Sequence, residues 1–226
     1  MNIYDDNIEY YKNCIYNYDK TKNVDTIINR NEITFSKITD FENDIEYIKL
    51  IDDIIETLKC TEKKQFIPNI SYIYNITEND IHNLLIKIIP FFENIYNSYL
   101  KIVDIKLLEH KIGIFNEGAF LWHYDNHPKT IINIIIYLNE VEKNSGGFEY
   151  ITMNNKIIKQ KYIKPQGNKN MESFVKNNNI NINQVIGKKG TIFFFDNNII
   201  HRAGSSLKKQ RLALLIQVYP SLNKIY

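Results

Sequence analysis

Cysteine is scarce in this chain: only Cys14 and Cys60 occur in 226 residues, and they form no CxxC pair. That scarcity argues against a disulfide framework or a thiolate metal centre and fits a reducing compartment. Glycine is missing from the first 112 residues, all eight lying at position 113 or later, so tight-turn chemistry is confined to the back of the chain. Arginine is rarer still, with Arg30, Arg202 and Arg211 the only three among 28 basic residues. Long apolar runs are absent: "IINIIIYL" is strand-length and interrupted by Asn133, far short of the roughly 18 apolar residues that suggest a membrane-spanning helix. The start, "MNIYDDNIEYYKN", is acidic and aromatic, without the basic-then-apolar order of a signal peptide. These absences predict a cytoplasmic protein with no membrane partner. A net charge of only +2 gives no electrostatic footprint for nucleic acid, and none is expected as a partner. Oligomeric state is not encoded in any of this.

What is present describes a globular protein. Apolar residues make up 44% and charged residues 24%, and 226 residues suffice for one domain with a full core. Asparagine, isoleucine, lysine and tyrosine are frequent along the whole length, as a coding bias would make them. The periodicity divides the chain at about residue 104. In 1–104, "DFENDIEYIKLIDDIIETLK" spaces Phe41, Ile45, Ile48, Ile51, Ile54, Ile55 and Leu58 at threes and fours, the mark of an amphipathic helix. A second helix is expected through "IHNLLIKIIPFFENIYNSYL", opened by the approximate capping box Thr77-Glu-Asn-Asp80 and kinked at Pro90. Both should pack on a sheet as a support region.

From 105 to 226 the pattern changes to short runs rich in Ile, Phe, Tyr and Val, bounded by Gly, Asn, Pro or Lys. Strands are expected at 105–108, 111–115, 119–125, 130–138, 147–152, 156–163, 190–196 and 210–219. Eight short strands without long intervening helices predict a double-sheet jelly roll or barrel, and an α+β class for the whole chain. Residues 164–186 have weak periodicity, with one helical turn expected at 171–176, and are a candidate lid over whatever site the core carries.

The chemistry starts at "AFLWHYDNHPK". His123 and Asp125 are one residue apart, and with five histidines and twelve aspartates in the chain such a pair arises by chance about one time in four. On a strand, however, residues i and i+2 project from one face, so both side chains can reach one cation while Tyr124 points away. "GTIFFFDNNIIHRAG" presents a third candidate, His201, after an apolar strand and a polar turn. Two histidines and one carboxylate on one side of a metal form the facial triad of non-haem Fe(II) oxygenases. Ten residues later Arg211 opens "RLALLIQVY", where alternation puts Arg211, Ala213, Leu215 and Gln217 on one face. A buried arginine there needs an anion, and its planar fork suits a carboxylate. On "TIINIIIYLNEVEKNSGGFEYI" the residues Asn133, Ile135 and Tyr137 share a face, so the Tyr137 hydroxyl is a second candidate donor to the same carboxylate.

The ordered set "HYD", "YLN", "SGG", "GTIFFFD", "HRAG" and "RLALLIQVY" resembles the Fe(II)- and 2-oxoglutarate-dependent dioxygenase superfamily over about residues 105–220. It is most similar to the prolyl-hydroxylase-like branch, with a weaker likeness to the phytanoyl-CoA-hydroxylase-like branch. The resemblance implies a double-stranded β-helix (cupin-like jelly roll) supported by N-terminal helices. It implies Fe(II) on His123, Asp125 and His201, 2-oxoglutarate held distally by Arg211 with Tyr137 and with Asn133 on the same face, and O2 as the other cosubstrate. Trp122, Tyr124, His127 and Gln217 are the possible substrate pocket; Arg202 is expected at the mouth, and His82 and His110 lie outside the motif as structural or surface residues. The branch likeness favours a peptidyl (prolyl or lysyl) hydroxylase. A hydroxylase of a small molecule, such as an amino acid, sugar or lipid-like metabolite, is the alternative, and a non-catalytic jelly-roll binding module the remote one. Gly113, Ile114 and Phe115 stand where that branch often has a tyrosine, so no donor to the keto-acid end is assigned. Gln217 stands where the nucleic-acid demethylases have a second arginine, which disfavours nucleobase repair. Asp125 itself favours hydroxylation over halogenation, for which the carboxylate would be a small residue.

Overall fold

The computed structural model describes residues 8–22, 35–68, 70–125, 131–159, 169–178 and 180–226. In chain order the elements are α1 (Ile8–Lys22), β1 (Phe35–Ile38), α2 (Ile45–Thr57), β2 (Lys63–Ile67), β3 (Ser71–Tyr74), α3 (His82–Tyr96), β4 (Tyr99–His110), β5 (Ile132–Tyr137), β6 (Phe148–Met153), β7 (Lys156–Ile157), α4 (Lys169–Asn177), β8 (Asn181–Gln184), β9 (Ile192–Asp196), β10 (His201–Ala203) and β11 (Arg211–Ser221). Seven strands form the larger sheet in the order β1-β9-β5-β11-β4-β3-β2, antiparallel at every pairing. β10, β6 and β7 form the smaller sheet, with β8 also paired to β6.

Local chemistry explains the two expected helices. Asp44 caps α2, its carboxylate accepting the Tyr47 N–H at 3.0 Å. The Asp80 carboxylate accepts both the Thr77 N–H and the Thr77 hydroxyl, at 2.6 and 2.7 Å, just ahead of α3. α3 continues through Pro90 and ends where Asn97 takes the left-handed conformation, φ 50°. No described helix is long and apolar enough to cross a membrane.

Strict alternation along the central strands separates two cores. Ile132, Ile134 and Ile136 of β5, Ile192 and Phe194 of β9, and Leu214, Ile216 and Val218 of β11 face the helices, packing with Tyr47, Ile51, Leu85, Ile88 and Phe92. Tyr137, Phe193, Phe195 and Ala213 face the other way and pack against Phe148 and Val185 of the region around the smaller sheet. The helices therefore seal one face of the larger sheet and leave the opposite face for the site.

Several sequence expectations change. Residues 119–125 do not form a strand: a 3-10 turn covers Gly118–Phe120, and an extended segment follows whose only bridge is His123 to His201. The stretch 111–115 likewise holds single bridges from Ile112 and Gly113 to Ser206 in place of a strand. The strand expected at 105–108 runs the full length of β4. The described part of 164–186 is structured: α4 sets Met171 and Val175 against Trp122, Tyr124 and Ile200, and β8 pairs with β6. None of its residues lines the cavity described below.

Candidate functional site

The cavity opens between the two sheets and has a volume of about 330 Å³. Its floor is the inner face of the larger sheet, where cross-strand register builds rows of side chains. Phe195, Asn133 and Gln217 form one row, Ile135, Leu215 and Lys106 the next, Tyr137, Ala213 and Leu108 a third, and Arg211 with His110 the last. The two predicted same-face sets, Asn133/Ile135/Tyr137 and Arg211/Ala213/Leu215/Gln217, are thus brought together around one space. Phe148, Ala203 and His201 close it from the smaller sheet, and Phe66, Ile67, Gly118 and Ala119 complete the rim.

At one end His123, Asp125 and His201 converge, their ligand atoms all within 4.8 Å of one another. Each histidine Nε2 lies 3.7 Å from an Asp125 oxygen, His123 from Oδ1 and His201 from Oδ2. Three ligands at about 2.1 Å from one ion stand roughly 3 Å apart when cis, so each 3.7 Å separation closes by about 0.7 Å to complete a facial triad. The ring nitrogens are already oriented: His123 Nδ1 is 2.7 Å from the Leu121 carbonyl and His201 Nδ1 2.9 Å from the Ile199 carbonyl. A carbonyl only accepts, so each Nδ1 carries the proton and each Nε2 lone pair faces the common point. Burial, with the neighbouring His123, pulls the His201 ring down to about 4 against the opposing pull of Asp125, which keeps it neutral and able to ligate. Asp125 is fixed by its own N–H to the Asn197 carbonyl (2.8 Å) and by the Asn133 amide, which donates to Oδ2 at 2.9 Å. Asn133 also donates to Asn197 Oδ1 at 2.5 Å, while its own Oδ1 is buried without a partner. The donor set and its preset tautomers fit a divalent metal of the iron type.

At the other end Arg211 is buried, and no carboxylate lies within ion-pair range of it among the described residues. It donates to the Gly146 carbonyl and to His110 Nδ1 at 2.9 Å, and its Nε has no partner. Burial works against its charge, with nearby Tyr137 and the more remote Glu149 supporting it. Glu149 itself is engaged by Arg202 at 2.7 Å and Gln184 at 3.2 Å. A buried cation that lines the cavity, has an unpartnered Nε and has no carboxylate within ion-pair range among the described residues fits an incoming carboxylate.

Tyr137 lies beside Arg211, yet its hydroxyl donates to the Val185 carbonyl at 3.0 Å and accepts the Phe148 N–H at 2.9 Å. Burial pushes this phenol up to about 12. Its proton is therefore committed to the backbone. Gln217 lines the cavity near Asn133. Trp122 and Tyr124 do not: both belong to a third core with Ile151, Met171, Val175 and Ile200, although they flank His123 in the same extended segment. Trp122 is held there by the Arg202 guanidinium 4.3 Å over its ring and by Glu172, which accepts the Trp122 N–H at 2.6 Å. His127 lies outside the described residues. Sequence reading missed His110, Lys106, Phe148, Phe195 and Asn197; the i, i+2, i+4 spacing of Lys106, Leu108 and His110 would have found the first two, had β4 been extended to its true end.

No protein-family model matches the chain, and no curated protein matches it. Solved structures do. HygX from Streptomyces hygroscopicus, crystallised with nickel and 2-oxoglutarate, is similar at a TM-score of 0.60 and 11% identity, over 88% of this chain and 89% of that one. SnoN, a non-heme alpha-ketoglutarate-dependent epimerase from nogalamycin biosynthesis, is similar at 0.59 and 12%, over 94% and 84% of the two chains. EctD from S. alaskensis is similar at 0.59 and 14%, over 86% and 77%. With the two antiparallel sheets described above, these likenesses establish that this chain has the double-stranded β-helix fold.

Proposed function

We propose that this protein is an Fe(II)- and 2-oxoglutarate-dependent oxygenase acting on a small molecule. The observation that carries the reading is the pairing, in one cavity, of two histidines with preset Nε2 lone pairs and a carboxylate with a buried arginine that has no carboxylate in ion-pair range among the described residues. In this reading His123 and His201 hold the metal through Nε2 and Asp125 through its carboxylate, kept in orientation by the Asn133 amide. Arg211 takes the distal carboxylate of 2-oxoglutarate. Bound Fe(II), 2-oxoglutarate and O2 together supply the oxidising power to break a C–H bond, with succinate and CO2 as by-products. The apolar walls, Phe148, Phe195, Ile135 and Leu215, keep water from the reacting centre and position the substrate carbon.

A peptide substrate, as the sequence led one to expect, is not supported, and a small molecule fits better. A cavity of about 330 Å³ has the size of a small-molecule site. HygX has been crystallised with hygromycin B, SnoN with nogalamycin RO and EctD with 5-hydroxyectoine, and nothing in these likenesses favours the prolyl-hydroxylase-like branch. Hydroxylation is the proposed outcome. Because SnoN is an epimerase on the same fold, product analysis for an added oxygen against an inverted centre separates the two.

Anaerobic addition of Fe(II) and 2-oxoglutarate is expected to give the visible charge-transfer band of a metal-chelated keto acid, and His123→Ala or Asp125→Ala to abolish it. Absence of the band in the unsubstituted protein would overturn the reading.

A further inference from the structure

We propose that His110, and not Tyr137, is the second donor to the distal carboxylate of the cosubstrate, acting with Arg211 as one preset unit. This rests on the reading of the cavity as a 2-oxoglutarate site. His110 ends β4 directly opposite Arg211 in the register with β11, and both side chains line the cavity. The contact between them fixes which ring nitrogen bears the proton. A guanidinium can only donate, so His110 Nδ1, 2.9 Å from an Arg211 terminal nitrogen, must be the lone-pair nitrogen, and the proton of the neutral ring sits on Nε2.

That Nε2–H has no partner among the described residues. The ring lines the cavity, and the Phe120 ring, 5.1 Å away between centroids, together with the Arg211 contact holds its orientation. Burial, and secondarily the Arg211 charge, hold the ring neutral, well below the usual histidine range. Neutrality matters: a protonated ring would lose its Nδ1 acceptor and repel the guanidinium.

Tyr137 is excluded by hydrogen-bond accounting. Its single proton is donated to Val185, and its oxygen accepts from Phe148 and is engaged by the Arg211 side chain, so it can offer a carboxylate nothing without breaking a buried bond. Arg211 has two of its nitrogens held by Gly146 and His110 and keeps Nε free. The donors left for an entering carboxylate are the Arg211 N–H groups not engaged by Gly146, His110 or Tyr137, and the His110 Nε2–H. A neutral imidazole here also avoids a second buried cation beside Arg211.

The test is calorimetric titration of the Zn(II)-loaded protein with 2-oxoglutarate and, separately, with pyruvate, which has the keto-acid head without the distal carboxylate. His110→Phe should weaken 2-oxoglutarate by about 10- to 100-fold while leaving pyruvate unchanged. His110→Gln should recover part of the loss, since one amide offers an oxygen to Arg211 and an N–H to the carboxylate. Tyr137→Phe should cost less than about threefold. No 2-oxoglutarate binding by the unsubstituted protein would defeat the site reading itself. Normal binding there with equal binding by His110→Phe, an equal loss for pyruvate, or a Tyr137→Phe loss as large as that of His110→Phe would each defeat the His110 inference alone. Should the variants fail to fold, 15N spectra of the unsubstituted protein decide: a neutral Nε2–H tautomer that shifts on adding 2-oxoglutarate supports it, and a charged or Nδ1–H ring overturns it.

Discussion

His123 and His201 use the same device: each donates Nδ1–H to the carbonyl two residues before it, Leu121 and Ile199 respectively. The backbone thus sets the tautomer of both rings before any metal arrives, which lowers the ordering cost of binding. His110 is set differently, by a cation, and this gives it a pH signature. Its ring titrates near 6.5 when unfolded and lower when folded. Below about 6.5 the unfolded chain therefore binds the proton that the folded one refuses, and stability falls with pH; above it the full contribution is present. Urea unfolding at pH 7.5 and 5.5 should show the unsubstituted protein losing more stability over that interval than His110→Phe loses. Equal losses would mean that His110 is not the neutral buried group described.

Among the elements, those that separate two different surroundings were legible in the sequence. β5, β9 and β11 alternate because isoleucines and leucines face the helices while Asn133, Tyr137, Arg211 and Gln217 face the cavity, so period two stands out and places the site residues. α2 was legible for the corresponding reason at period 3.6. β2 ("KKQFI"), β8 ("NINQ") and β10 ("HRA") were not, since strands of three to five largely polar residues carry no period and exist only through their partners. The strand expected over 119–125 failed because Gly118, at φ +55°, starts a 3-10 turn, yet the extended residues beyond it still aim His123 and Asp125 together. The pair Gly146-Gly147 has a packing reason. Gly146, at φ +76°, turns its carbonyl to Arg211, and a Cβ on Gly147 would collide with the Val185 carbonyl, the acceptor for Tyr137. Gly147→Ala should therefore push β8 from β6 and cost about 1–3 kcal/mol in urea denaturation, more than an alanine at an exposed strand position would. An unchanged midpoint would show that the close approach is dispensable.

On the scale of the whole molecule, the site is assembled from both sheets. Arg211, His110 and Asn133 belong to the larger sheet, His201 to the smaller, and His123 with Asp125 to the extended segment bridged to β10. No one element presents the cavity, so a ligand spanning it ties together parts that must separate on unfolding. Binding to the folded state alone stabilises by about 2.7 kcal/mol at a ligand concentration 100 times Kd. For a chain of this size that corresponds to a rise in Tm of about 5 to 10 °C. Zn(II) alone should raise Tm, and 2-oxoglutarate should raise it further only when Zn(II) is present, because its keto-acid end needs the metal and its distal end the arginine. Arg211→Leu should keep the Zn(II) increment and lose the 2-oxoglutarate increment, whereas Asp125→Ala should lose both. A 2-oxoglutarate increment that survives in Arg211→Leu would place the distal carboxylate elsewhere, and scanning calorimetry with the four combinations of metal and keto acid distinguishes these outcomes.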